Sequence, residues 1–173
     1  LKRLAPHRVI AYPTESCYGL GCNPRSRRAV LRILKLKRRP QAKGLILIAS
    51  HAQQLVRYVS KPALQAALAS GFWPGPVTLL LPAAKQCPIW LKGRHQKIAV
   101  RMTGHRPAAR LCSRFGTALV STSANRSGQK ALKQARHVQH AFGQQVQVIR
   151  GKIGKANRPS VIRDLATGQI LRH

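Results

Sequence analysis

Five cations fall within nine residues in Lys35-Leu36-Lys37-Arg38-Arg39-Pro40-Gln41-Ala42-Lys43. One or two cations suffice to complement the dipole at a helix C-terminus. A higher density suits a polyphosphate, with Lys as a point charge and Arg as a planar fork. A generally basic surface accounts for the same run, and the segment alone does not separate the two. A second stretch, Ser121-Thr122-Ser123-Ala124-Asn125-Arg126-Ser127-Gly128, follows directly on an apolar run. Hydroxyls and free backbone N–H groups at a strand end can cradle phosphate oxygens, and the same residues also make an ordinary turn with a helix cap. Pro13-Thr14-Glu15-Ser16 carries one of only two acids in the chain, the other being Asp164. A carboxylate kept in such a chain either pairs with a nearby Arg or has a part in the chemistry. Arg101 sits inside the apolar run Ala99-Val100-Arg101-Met102. A cation there is costly unless paired, and a ligand carboxylate would pair it.

Other chemistries lack their residues. There is no Walker loop, no dinucleotide glycine fingerprint, no nucleophile elbow and no carboxylate pair. One Asp and one Glu cannot cage a metal ion, and the seven His are scattered. Cys17, Cys22, Cys87 and Cys112 do not follow zinc-ligand spacing, so they are expected as buried or half-buried thiols. Chemistry in this chain must work through positioning and positive charge. The 32 Lys and Arg against two acids leave a formal net charge of +30, which binds polyanions whatever else it does. The cations are spread through amphipathic segments, and strong self-repulsion favours a monomer.

The elements that must hold these groups follow from periodicity. The 173 residues amount to one domain, residues 1–173. Strands are expected at Val9–Tyr12, Leu45–Ala49, Val77–Leu81, Ile98–Met102 and Ala118–Thr122, with short ones near 146–149, 160–164 and 169–172. Helices are expected over Ser26–Arg38, His105–Phe115 and 131–142, and one or two over 51–70 broken near Lys61-Pro62. Cys17–Cys22 is punctuated by glycine, where the backbone turns sharply or approaches something closely. Interleaved strands and helices give an α/β fold with a mixed sheet. No apolar run reaches a membrane span, and Leu1–Pro6 is not followed by a signal-peptide core, so a cytoplasmic protein is expected. The start without Met, almost directly in a strand, is what a shortened N-terminal helix would leave.

Taken in order, these segments resemble the YrdC/Sua5 family of threonylcarbamoyl-AMP synthases. The resemblance rests on Val9–Ser16, Tyr18–Cys22, Leu36–Pro40, Lys43–Ile48, Trp73–Thr78, Ala99–Arg101, Ser121–Gly128 and Ser160–Asp164. It covers nearly the whole chain and is nearest the short bacterial form without a C-terminal domain. It implies a single α/β domain whose twisted mixed sheet, with flanking helices, surrounds a positively charged concave cleft. It also implies a reaction of L-threonine, bicarbonate or CO2 and ATP that gives threonylcarbamoyl-AMP and pyrophosphate. Partner proteins of that pathway then move the threonylcarbamoyl group to adenosine 37 of tRNAs that read ANN codons.

Carried over by motif, the resemblance implies Lys37, Arg39 and Lys43 on the triphosphate and Arg101 on the threonine carboxylate. Thr14 contacts threonine or its carbamate. Ser121, Ser123 and Asn125 line the nucleotide and intermediate pocket, and Ser160 and Arg172 close it. Glu15 and Asp164 orient the cations, and Mg²⁺ is held mainly by ATP phosphates. The sequence departs from the family in its missing surface acids, as a recharged surface would leave it. It departs again at His105-Arg106-Pro107, where the family has His directly before Pro. The competing function is a non-catalytic protein that binds tRNA or rRNA on the same basic face. Carbamoyl-adenylate-forming domains of hydrogenase-maturation enzymes are similar too, but they belong to much longer chains.

Overall fold

The computed structural model describes residue 5 and residues 7–172, so most of the N-terminal segment Leu1–Pro6 read above lies outside the described residues. Nine strands form one sheet in the order β7-β1-β2-β6-β3-β5-β4-β8-β9. The strands are β1 (Ile10–Pro13), β2 (Tyr18–Gly21), β3 (Ile46–Ala49), β4 (Val77–Pro82), β5 (Lys97–Met102), β6 (Leu119–Ser123), β7 (Gln147–Val148), β8 (Val161–Asp164) and β9 (Ile170–Arg172). The helices are α1 (Arg27–Lys37), α2 (Lys61–Ala69), α3 (Ile89–Lys92), α4 (Arg106–Phe115) and α5 (Ala135–Phe142). The sheet is mixed: β3 and β5 run parallel, β4 and β8 run parallel, and β6 is antiparallel to both β2 and β3.

The two faces of the sheet are covered unequally. Side chains alternate along a strand, so Leu79 and Leu81 of β4, and Ile98 and Val100 of β5, enter the main core. There they meet Ala29, Val30, Ile33 and Leu34 of α1, Leu64 and Ala67 of α2, Leu91 of α3, and Val138 and Phe142 of α5. Each large apolar side chain buried this way contributes about 1.5–3 kcal/mol. On the opposite face, Ile10, Tyr12, Ile48 and Leu119 pack against Ala108 and Cys112 of α4. That helix covers one end only. Beyond it, the same face carries Ile46, Leu80, Lys97, Ala99, Arg101, Ser121 and Ser123, all lining an open cleft.

Several sequence expectations change. The glycine-punctuated Tyr18–Gly21 is itself a strand, between β1 and β6. Its glycines do mark a close approach: a Cβ on Gly21 would lie 2.6 Å from the Val120 carbonyl oxygen and 2.7 Å from the Tyr12 ring. The helix expected over 131–142 starts only at Ala135. Leu132 instead exchanges backbone bonds with Ala124 and Tyr18, which holds its segment extended. Within 51–70, Pro62 opens α2 rather than breaking a helix, and residues before it form a 3-10 turn and a bridge from Val59 to Ala83. Pro107 likewise lies in the first turn of a regular α4. The short α3 was not anticipated. All four cysteines are buried and free.

Candidate active site

The cleft encloses about 1200 Å³. Several elements supply its cations. Helix α1 is capped by the Ser26 hydroxyl, which accepts from the Ala29 N–H, and ends at Arg38 in a left-handed conformation, φ 50° and ψ 46°. That conformation is unusual for a residue with a side chain. It lets Lys37 and Arg39, on either side, line the cleft while Arg38 does not. Lys43 closes the following 3-10 turn. The turn is backed by α3: Leu45 donates to the Leu91 carbonyl at 2.8 Å, and a Cβ on Gly93 would lie 2.5 Å from the Ala42 carbonyl oxygen. Arg101 comes from β5 and Arg172 from β9.

These groups are differently occupied. Arg101 and Glu15 form a two-point ion pair at 3.0 and 3.1 Å, and Thr103 donates to the same carboxylate at 2.9 Å. The Arg101 Nε is buried and has no partner. Glu15 thus orients Arg101, which is what the sequence suggested. His105 lies near enough to feel both charges, and burial holds it below the usual imidazole range. Arg172 donates to the Ser160 carbonyl at 2.7 and 3.1 Å, and Ser160 shares a hydrogen bond with Thr78 at 2.8 Å. Burial lowers the Arg172 guanidinium, and Arg101 and Arg39 lower it further. Arg39, Arg101 and Arg172 therefore face one space in which Glu15 is the one carboxylate among the lining residues, an arrangement that an anion relieves.

Lys37 differs from expectation. It is buried, and its ammonium donates to the Ser123 carbonyl at 2.6 Å, the Asn125 carbonyl at 2.8 Å and the Asn125 side-chain oxygen at 3.1 Å. An ammonium has three donors, so none is free for a phosphate in this geometry. Lys37 ties α1 to the loop after β6. In that loop Ser123 donates to the Asn125 side chain at 2.6 Å, and Ser127 donates to the Lys37 carbonyl at 2.8 Å. Burial, helped by Arg39, pushes the Lys37 ammonium down to about 8. Arg39 donates to the Gly44 carbonyl at 3.0 Å, and its Nε is buried without a partner.

Thr14, Glu15, Lys37, Arg39, Lys43, Arg101, Ser121, Ser123, Asn125, Ser160 and Arg172 all line the same cleft. Thr14 donates its hydroxyl to the Cys17 carbonyl at 2.8 Å, so the hydroxyl keeps only its accepting capacity. Asp164 is not among the lining residues. It pairs with Lys97 and accepts backbone bonds from Ala166 and Thr167, so it orients a cation that the sequence reading did not single out. Lys97 was legible in principle, since it stands four residues before Arg101 on the same strand face. Also unforeseen is a strap from Arg150 to Pro159. It crosses Thr14 and Glu15 through Gly154 N–H to the Thr14 carbonyl at 2.9 Å and Ala156 N–H to the Glu15 carbonyl at 3.1 Å. It brings Asn157 and Arg158 to the cleft.

No cluster of three or more His, Cys, Asp or Glu side chains exists among the described residues. Both acids already face cations. A divalent ion here would need its oxygen ligands from a bound phosphate.

Comparisons with known proteins agree with one another. The Sua5/YciO/YrdC family model, described as telomere recombination, matches residues 2–173. The chain is 54% identical over 173 residues to the threonylcarbamoyl-AMP synthase of Chromobacterium violaceum, covering 99% of this chain and 89% of that protein. It is 51% identical over 166 residues to the enzyme of the same name from Thiobacillus denitrificans, covering 95% and 88%. Among solved structures it is similar to P. abyssi Sua5 complexed with L-threonine, with a TM-score of 0.83 and 34% identity. That match covers 92% of this chain and 48% of the P. abyssi chain, so the chain spans about half the archaeal protein's length. E. coli YciO shares the fold, with a TM-score of 0.78 and 24% identity.

Proposed function

The chain belongs to the Sua5/YciO/YrdC family, and from that premise we infer that it makes threonylcarbamoyl-AMP and pyrophosphate from L-threonine, bicarbonate or CO2, and ATP. The product supplies the threonylcarbamoyl group for adenosine 37 of tRNA. The threonine amine adds to CO2 and releases a proton, giving a carbamate. A carbamate oxygen then attacks the α-phosphorus, the bond to the β-phosphate oxygen breaks, and pyrophosphate leaves. No protein nucleophile is required.

The observation that carries this reading is the convergence of Arg39, Arg101 and Arg172 on one cleft containing a single carboxylate. Positive groups fixed in advance stabilise charge that shifts during the reaction without reorganising. Arg39, Lys43 and Arg172 bind the triphosphate. Arg101, oriented by Glu15, binds the carboxylate of threonine, the amino acid carried by the P. abyssi structure. Thr14 and Ser121 contact the threonine or carbamate. Ser123 and Asn125 line the nucleotide, and Ser160 closes the pocket with Arg172. Lys37 positions the Ser123–Asn125 loop. Mg²⁺ would be held mainly by the phosphates of ATP, with the cleft cations around them, and would supply neutralisation of phosphate charge. Among the described residues, no helix is long and apolar enough to cross a membrane. We place the reaction in the cytoplasm, with a monomer as the working unit and other proteins of the pathway as recipients of the product.

The test is mass spectrometry of the nucleotide product formed from ¹³C-bicarbonate, L-threonine and ATP. A threonylcarbamoyl-AMP ion carrying one heavy carbon supports the reading. Unlabelled AMP or ADP as the sole product opposes it.

A further inference from the structure

Two buried nitrogens without a partner among the described residues belong to one neighbourhood, the Nε of Arg101 and the Nδ1 of His105. A buried polar atom left unpaired costs free energy and calls for a reason. His105 is not among the residues that line the cleft. It stands one layer behind, joined to the cleft by a chain of contacts. Its backbone N–H donates to the Thr103 hydroxyl at 3.2 Å, that hydroxyl donates to Glu15 at 2.9 Å, and Glu15 holds Arg101 at two points. Thr103 is buried and is pinned in turn by its own N–H, which donates to the Ala49 carbonyl at 3.0 Å.

The surroundings of the ring favour its neutral form. Glu15, from the connection between β1 and β2, and Arg101, from β5, are the charged groups that act on it, in opposite senses, and burial outweighs the carboxylate. His105 is also the N-cap of α4, where the helix dipole disfavours a cation. On that helix the neighbouring Arg106 is exposed, and the turn at Pro74 and Gly75 that packs against Gly104 brings no titratable side chain. A neutral imidazole has one nitrogen that accepts and one that donates, whereas an imidazolium has two donors. The Arg101 Nε is a donor. A neutral His105 can present an acceptor towards it, while an imidazolium can only oppose it and compete for Glu15.

We propose that His105 is a positioning residue for threonine: in its neutral form it keeps Glu15 and Arg101 aligned from behind the cleft, and its protonation loosens the amino-acid half of the site. This role rests on the assignment of the threonine carboxylate to Arg101. An imidazolium draws Glu15 away from Arg101 and repels the guanidinium, so threonine affinity falls as the pH drops through the titration of the ring. The phosphate-binding Arg39 and Lys43 lie on the segment after α1, away from this chain of contacts, so ATP affinity does not depend on the ring.

The test measures L-threonine binding to the full chain by calorimetry between pH 5 and pH 7.5. The parent chain is compared with His105→Gln, uncharged throughout, and His105→Lys, charged throughout. In the parent the dissociation constant should rise at least about fivefold from pH 7.5 to pH 5, the lower end of typical coupling between sites. His105→Gln should stay near the parent's value at pH 7.5 over the whole interval, and His105→Lys should bind weakly at every pH. ATP affinity at pH 7.5 should be the same in all three chains; a merely structural role would weaken both ligands without regard to pH. A second measurement needs no variant. Coupling is reciprocal, so saturating threonine should lower the titration midpoint of the His105 ring, followed by NMR in the parent chain, by the same factor. An acid-side loss of affinity that persists in His105→Gln, or a ring titration indifferent to threonine, would overturn the role of His105 and leave the reaction untouched. A parent chain that binds no threonine at any pH would overturn the assignment of Arg101 and this role with it.

Discussion

Arg101 meets Glu15 at two points, 3.0 and 3.1 Å, and only 7% of the Arg101 side chain remains exposed. This is the lone glutamate of the chain holding a cation inside a strand. The pair resolves the cost of placing an arginine there and aims it at the cleft. Glu15→Gln keeps an acceptor but removes the charge. Losing one partner of a well-buried pair costs about 3–5 kcal/mol; Glu15 is 21% exposed, so about 1–3 kcal/mol is expected here. Urea denaturation measures that loss, and the KM for threonine should rise more than the KM for ATP.

Lys37 should impose opposite pH trends on rate and stability. It loses its proton near pH 8 in the folded chain, against 10.5 as the ordinary lysine value. Between those values the unfolded chain binds more protons, so this group makes stability rise with pH. The neutral amine has lost a donor and its charge, so the Ser123–Asn125 loop is held less well and the rate should fall above about pH 8. Rate and thermal midpoint measured from pH 7 to 9.5 check both signs. In Lys37→Arg the alkaline fall should disappear, at a lower overall rate.

The strap over Thr14 has no room at Gly154. A Cβ there would lie 2.7 Å from the Glu15 carbonyl oxygen. Gly154→Ala must lift the strap from Thr14 and Glu15 and should lower kcat/KM at least about tenfold, the effect of a barrier change of about 1.4 kcal/mol. Gly104→Ala is the comparison, because the nearest atom to its Cβ would be 3.7 Å away. It should fold normally and be neutral or stabilised by up to about 1 kcal/mol. Thermal melts and initial rates on both variants separate the strap from glycine loss in general.

Arg39→Ala should act on the nucleotide. Charge-assisted bonds to phosphate contribute about 1.5–3 kcal/mol each, so the KM for ATP should rise about 10- to 100-fold. Arg39→Lys should recover only part of this, since a point charge does not reproduce a guanidinium fork. Steady-state kinetics with ATP varied at saturating threonine gives the comparison.

Much of this architecture was legible in the sequence. Buried strands announced themselves as apolar runs, and α1 by the spacing of Ala29, Val30, Ile33 and Leu34 between cations. Pro and Gly placed most boundaries. The residues that line the cleft were recognisable by motif order, and the buried Arg101 also by its position in an apolar strand. What escaped depended on contacts between distant segments. Nothing local shows that Leu132 is held extended by Ala124 and Tyr18. Lys37 looked like a phosphate ligand because its three acceptors lie 86 and 88 residues away. Asp164 could not be matched to Lys97 before β4 was seen between β5 and β8. The strap lacks hydrophobic periodicity, and its role follows only from backbone bonds to Thr14 and Glu15.

The most direct test of the account is pyrophosphate release from ATP and bicarbonate, with and without L-threonine. It should be run at about 0.3 M salt, where the Debye length is short enough to suppress loose polyanion binding. Release should require threonine and should be greatly reduced in Arg101→Ala. Release indifferent to threonine, or none from chain shown to be folded, would contradict it.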